Sequence, residues 1–116
     1  MGLLGKILSM FSNGPAIQNL ERFDMVIEMK DGGVLLPIIT SQHLDNSEGN
    51  IELLRTKVKN YTEMLQEDKF KEDFPLREYC LIELNCIDKP HELILQELDS
   101  YEKKYAHLGV QFSWKK

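Results

Sequence analysis

His43 and Asp45 come nearer than any other residues of this chain to general acid–base chemistry. Two positions apart on a polar connector, an imidazole and a carboxylate that orients it could converge on a proton in transit. The competing reading makes Asp45 a cap of the helix that follows and His43 a surface group. The chain has no Ser-His-Asp order, glycine-rich phosphate loop or His-Glu-x-x-His helix, so the sequence predicts no catalytic residue and no enzyme. Cys80 and Cys86 fall six residues apart on one expected strand, where about 20 Å would separate them, beyond the reach of a disulfide. They read as buried thiols of a reducing compartment. A Cys-x5-Cys pair also misses zinc spacing, and His43, His91 and His107 are scattered, so neither a metal nor another cofactor is expected.

The acidic residues are the stronger signal. The chain carries a net charge of −5, and eight acids against four bases lie between residues 61 and 90. Nucleic-acid binding is disfavoured, because phosphate neutralisation needs clustered Lys and Arg. Glu63, Glu67, Asp68, Glu72, Asp73 and Glu78 fall on a helix end and loop, where such a run is either a solvated face or a surface offered to a basic protein partner.

The N-terminus holds a second candidate contact. Leu3, Leu4, Ile7, Leu8 and Phe11 recur at helical spacing and Asn13-Gly14-Pro15 ends the run, so residues 1–15 read as an amphipathic segment ahead of a single domain over 16–116. Gly5 and Lys6 break the apolar run and no small-residue cleavage site follows, which argues against a signal peptide. The run is too short to span a bilayer, and Lys6 spoils the myristoylation pattern. It fits packing on the domain, packing on a partner, or membrane contact.

At 116 residues, 42% hydrophobic and 28% charged, the chain suits one domain with a core of its own. Its elements are read from periodicity. Phe23, Met25, Ile27 and Met29 alternate with Asp24, Val26, Glu28 and Lys30, then Asp31-Gly32-Gly33 turns the chain, and Val34–Ile39 returns antiparallel. Pro37 has no amide hydrogen, which places the second strand at an edge or a bulge. Ile51, Leu54, Val58, Tyr61 and Leu65, widened by Leu53 and Met64, form the stripe of a helix fading near Glu67, with Glu52, Lys57, Lys59, Asn60 and Glu63 on its outer side. Residues 68–75 read as a connector whose Phe70 and Phe74 dock on the body.

Tyr79–Ile87 reads as a strand with Cys80, Ile82, Leu84 and Cys86 facing the core. Asp88 then caps a helix with Pro90 in its first turn, whose stripe is Ile94, Leu98, Tyr101, Tyr105 and Leu108. Gly109 stops it, and Val110, Phe112 and Trp114 alternate along a last strand. The order is ββαβαβ. An α+β fold follows, with two helices packed on one face of a four-stranded mixed sheet.

This succession of a hairpin, His43-Leu44-Asp45, a helix with Leu53-Leu54 and Tyr61, a strand, Pro90, a second helix and a terminal strand resembles a family of small bacterial proteins of unknown function. The resemblance covers roughly residues 20 to 116. That family carries an aromatic residue after the His-Leu-Asp triplet, where this chain has Asn46. It is similar to proteins found beside secreted or contact-delivered toxins. The resemblance implies a cytoplasmic, non-enzymatic immunity protein that neutralises a cognate toxin by direct binding, with a basic toxin domain as partner. The alternative is a peripheral membrane or secretion-system accessory held by Leu3, Leu4, Ile7, Leu8 and Phe11.

Overall fold

A computed structural model describes residues 15 to 116, so the amphipathic stretch expected before Pro15 lies outside the described residues. In chain order the elements are β1 (Ile27–Glu28), β2 (Gly33–Ile39), α1 (Glu48–Leu65), α2 (Asp68–Asp73), β3 (Tyr79–Asn85), α3 (Glu92–Lys104) and β4 (Val110–Lys115). They build an α+β fold. The four strands form one mixed sheet in the order β1-β2-β3-β4, with β1 antiparallel to β2 and the other neighbours parallel.

Two parallel steps in the same direction along a sheet place both crossover helices on one face. The core agrees. Val34, Leu36 and Ile38 of β2, Cys80, Ile82 and Leu84 of β3, and Val110 and Phe112 of β4 share one cluster with Leu54, Val58, Tyr61 and Leu65 of α1 and Ile94, Leu98 and Tyr101 of α3. Cys86, just past the end of β3, is buried with them, as the alternation requires.

The hairpin is shorter than its periodicity predicts, and Pro37 explains why. Met29 N donates to Gly33 O at 2.8 Å and Gly32 N to Met29 O at 3.2 Å, so the loop is Lys30-Asp31-Gly32 with Gly32 at φ +94°. Ile27 lies opposite Leu35. Alternation makes Met25 and Pro37 the next pair to exchange hydrogen bonds, but Pro37 has no hydrogen to give. The ladder therefore stops at Ile27. Past it, the Tyr61 hydroxyl donates to Pro37 O at 3.1 Å and Ile39 N donates to Asp24 Oδ2 at 2.9 Å, so side chains close that edge of β2. Met25 and Ile27, expected to be half-buried in a long strand, are exposed, whereas Phe23 packs on Tyr61 with ring centroids 4.8 Å apart.

Three local assignments also change. Residues 68–73, expected as a connector, form the helix α2, which buries Phe70. Its ring meets Phe23 and Phe74 at centroid distances of 5.6 and 4.9 Å. At α3 the cap is His91, whose Nδ1 accepts from Leu93 N at 3.1 Å; Asp88 is no cap and Pro90 precedes the helix. Lys57, expected on the outer side of α1, is wholly buried. Gly109 ends the last helical turn at φ +69°, as the sequence predicts.

Candidate functional site

Glu63 stands in the last turn of α1, Glu67 caps α2 without a side-chain bond, Asp68 opens that helix, Glu72 and Asp73 close it, and Glu78 precedes β3. All six side chains are exposed. None of the six carboxylates makes a hydrogen bond or ion pair among the described residues, so their charge is left uncompensated at short range. The last turn of α1 holds no basic residue, so the negative end of its dipole adds to the same field. Arg77, the nearest buttress, sits with its guanidinium 5.0 Å from the centre of the Phe70 ring and donates to Leu65 O and Phe74 O at 3.4 Å.

The structure brings only some of these acids together. Glu67 and Asp73 border a surface trough of about 280 Å³ between β1 and α2, lined by Phe23, Val26, Met64, Phe70 and Phe74 with Lys69 on the rim. Asp73 and Phe74 also line a second concavity with Glu28, Met29 and Leu76. Glu78 is tied to the hairpin turn, its N donating to Gly32 O at 2.9 Å. Glu63, Asp68 and Glu72 line neither hollow. Beside the trough, Met25 and Val26 are exposed, and Leu76 is 88% exposed. An apolar hollow with a charged rim is the anatomy of a protein-binding patch.

The histidine candidate resolves differently. His43 Nδ1 lies 2.7 Å from Asp88 Oδ1, not against Asp45, and both groups are about half exposed. Asp45 is not the cap of α1 either, a place Ser47 takes by accepting from Asn50 N at 3.3 Å; it braces that cap, its Oδ1 accepting from Ser47 N and from Asn50 Nδ2, each at 2.9 Å. Those bonds, that of Ser47 first, hold its carboxyl below the usual carboxylate range. The proposed pairing of His43 with Asp45 is therefore replaced by one with Asp88, and neither His43 nor Asp88 lines any of the hollows described here. Both cysteines are free and buried. Desolvation, with help from Asp88, pushes the Cys86 thiol up to about 11, which keeps it protonated and unreactive at neutral pH. Among the described residues no group of three His, Cys, Asp or Glu could hold a metal ion, and no helix is long and apolar enough to cross a membrane.

Two polar clusters were not anticipated. Lys57 Nζ donates to Gln18 O, Asn19 O and Asp24 Oδ1 at 2.6, 2.8 and 2.7 Å, folding the lead-in segment onto α1. Glu97 of α3 accepts two bonds from Arg55 of α1, at 2.8 and 3.0 Å, and one from the Tyr101 hydroxyl at 2.7 Å. The first had a visible signal. Lys57 lies three residues after Leu54 and four before Tyr61, on the apolar stripe itself. Arg55 and Glu97 lie 42 residues apart, and nothing local in the sequence links them.

Compared with protein-family models, with curated proteins and with solved structures, the chain finds no match.

Proposed function

We propose that this is a non-enzymatic binding protein of the bacterial cytoplasm, an immunity-type protein that neutralises a cognate toxin by covering it. One observation carries the binding reading: uncompensated carboxylates, Glu67 and Asp73 foremost, border an apolar trough flanked by exposed Met25, Val26 and Leu76. Such a rim steers a basic partner into place, and the apolar floor supplies area to bury. The toxin class of partner is supported by the resemblance of the ββαβαβ succession to toxin-neighbouring proteins.

The test is binding to a toxin domain of any secreted protein found to be encoded beside this chain, measured by calorimetry at several salt concentrations. Reversing Glu67, Asp73 and Glu78 to Lys should weaken the complex and flatten its salt dependence. Affinity that ignores both salt and the reversal removes the acidic surface from the interface. The helical spacing of Leu3, Leu4, Ile7, Leu8 and Phe11 favours a second reading, a peripheral membrane accessory. Liposome flotation of the whole chain against one starting at Ala16 separates the two, since equal partitioning removes the membrane role.

A further inference from the structure

Elsewhere the sheet closes its edges with side chains. Asp24 and Tyr61 cover the distal half of β2, and Glu102 Oε1 accepts from Phe112 N on β4 at 2.9 Å. Such blunting is how proteins keep a free edge from recruiting another strand. β1 lacks it. Because Met29 and Gly33 form a hydrogen-bonded pair, Glu28 opposite Val34 turns its N–H and C=O away from β2, and the same alternation carried two residues back, past the end of β1, would turn those of Val26 outward as well. Both residues are exposed, and no described side chain takes these groups. The side chains of Val26 and Glu28 line the two hollows beside α2. A strand laid along β1 would therefore hang alternate side chains over Phe70, Phe74 and Leu76, within reach of Glu67, Asp73 and Glu28.

We propose that β1 is a docking edge for an extended segment of a basic protein partner. The segment pairs with the outward backbone groups of Val26 and Glu28, sinks apolar side chains into the trough, and sets Lys or Arg against the acidic rim. This rests on the acidic corner being the partner surface, and it adds the mode of recognition: an alternating apolar and basic strand.

The experiment uses the whole chain, labelled with nitrogen-15, and the peptide acetyl-(Lys-Val)5-amide, with acetyl-(Glu-Val)5-amide as its opposite. The lysine peptide should bind, slow exchange of the Val26 and Glu28 amides at least about tenfold, and lose about tenfold in affinity in Glu67→Lys/Asp73→Lys, the weight of one or two exposed charge pairs. Val26→Pro removes an amide that no described residue accepts from, so it should abolish peptide binding and leave the melting temperature unchanged. Exchange at Val26 and Glu28 in the unaltered chain gives a readout that does not depend on that variant folding. Peptide binding that survives Val26→Pro but is lost on charge reversal overturns the docking edge and spares the acidic surface. Failure of the lysine peptide to bind, or equal binding of both peptides, overturns the docking edge and the basic partner together. Chains that pair through β1 without peptide assign the edge to a second copy and overturn the proposal.

Discussion

Lys57 Nζ stands 2.7 Å from Asp24 Oδ1, with the lysine side chain fully buried and the aspartate 10% exposed. Two backbone carbonyls complete the ammonium's donors, and Asp24 Oδ2 accepts from Ile39 N. One ion pair thus ties the lead-in segment, α1 and the end of β2 together. A buried pair of this kind adds little net stability over apolar packing, but stranding one member costs about 3–5 kcal/mol.

Asp24→Ala leaves a buried cation and should destabilise by about that amount. Lys57→Met puts an apolar chain of similar length in the same place and strands Asp24, which is slightly exposed and keeps its bond from Ile39 N, so it should cost less than Asp24→Ala. Guanidinium unfolding of both variants checks the order. The reverse ranking would mean that the stem of Lys57, and not its charge, holds the segment.

The same residue shows where the sequence stops being legible. Periodicity located every long element, because apolar residues at spacings of two or three and four have one way to face a core. It assigned Lys57 to solvent because a charge on an apolar stripe is read by type, and its partners lie 33 to 39 residues earlier. The hairpin was over-extended for a related reason: alternation through Met25 and Phe23 continues past the point where Pro37 breaks the ladder. The six acids were legible as charge. Which of them border the trough depended on α2 turning Phe70 inward and bringing Glu67 and Asp73 to one hollow.

Tyr61 bears on that break directly. Its buried hydroxyl donates to Pro37 O and accepts from Asp24 N at 2.9 Å, and burial raises its ionisation well above the ordinary phenol range, so it stays a neutral donor. Tyr61→Phe keeps the ring against Phe23 and removes only those bonds. It should cost about 1–3 kcal/mol, as buried groups left without a partner do. Thermal unfolding measures it, and a stability unchanged within error would show that water replaces the hydroxyl at Pro37.

Glu97 sets an acid limit. The bonds from Arg55 first, and from Tyr101 after, hold its carboxyl below the ordinary glutamate value of 4.5, so the folded state binds its proton less readily than the unfolded chain. That contribution is complete above pH 4.5 and disappears as pH falls through the lower folded value. Asp31 and Asp45 are lowered too and act in the same direction. Stability measured in denaturant from pH 7 to pH 2 should therefore fall on the acid side, and Glu97→Gln should make that fall shallower. An acid limb of unchanged steepness in the variant would remove Glu97 from the linkage.

Thiol labelling reads the core without any mutation. At pH 8 a thiol titrating near 11 holds roughly a hundredth or less of the thiolate of a free cysteine, and burial blocks access as well. Cys80 is shifted in the same direction, mainly by desolvation. Both should react at least about a hundredfold more slowly with an aromatic disulfide reagent in the native state than in guanidinium. Fast labelling of one cysteine would locate a local opening of β3 or its end.

Gly33 supplies the sharpest test of how the hairpin meets the parallel sheet. It is the first residue of β2, opposite Tyr79 in the register, and a methyl group on it would overlap Tyr79 Cζ and stand 2.8 Å from Met29 Cε. Met29 can bend away. The tyrosine cannot do so freely, because its hydroxyl donates to Asp31 Oδ2 at 2.5 Å while Asp31 Oδ1 accepts from Gly33 N at 3.0 Å. Moving the ring breaks the bond that pins the turn to β3. Gly33→Ala should therefore destabilise by about 1–3 kcal/mol, the usual cost of overpacking. If the ring is the cause, removing it should make the methyl tolerable: in a Tyr79→Ser background, Gly33→Ala should cost markedly less, leaving a coupling of about 1 kcal/mol or more in the double-mutant cycle. Strict additivity would mean that the backbone of Gly33, and not its contact with Tyr79, requires glycine here.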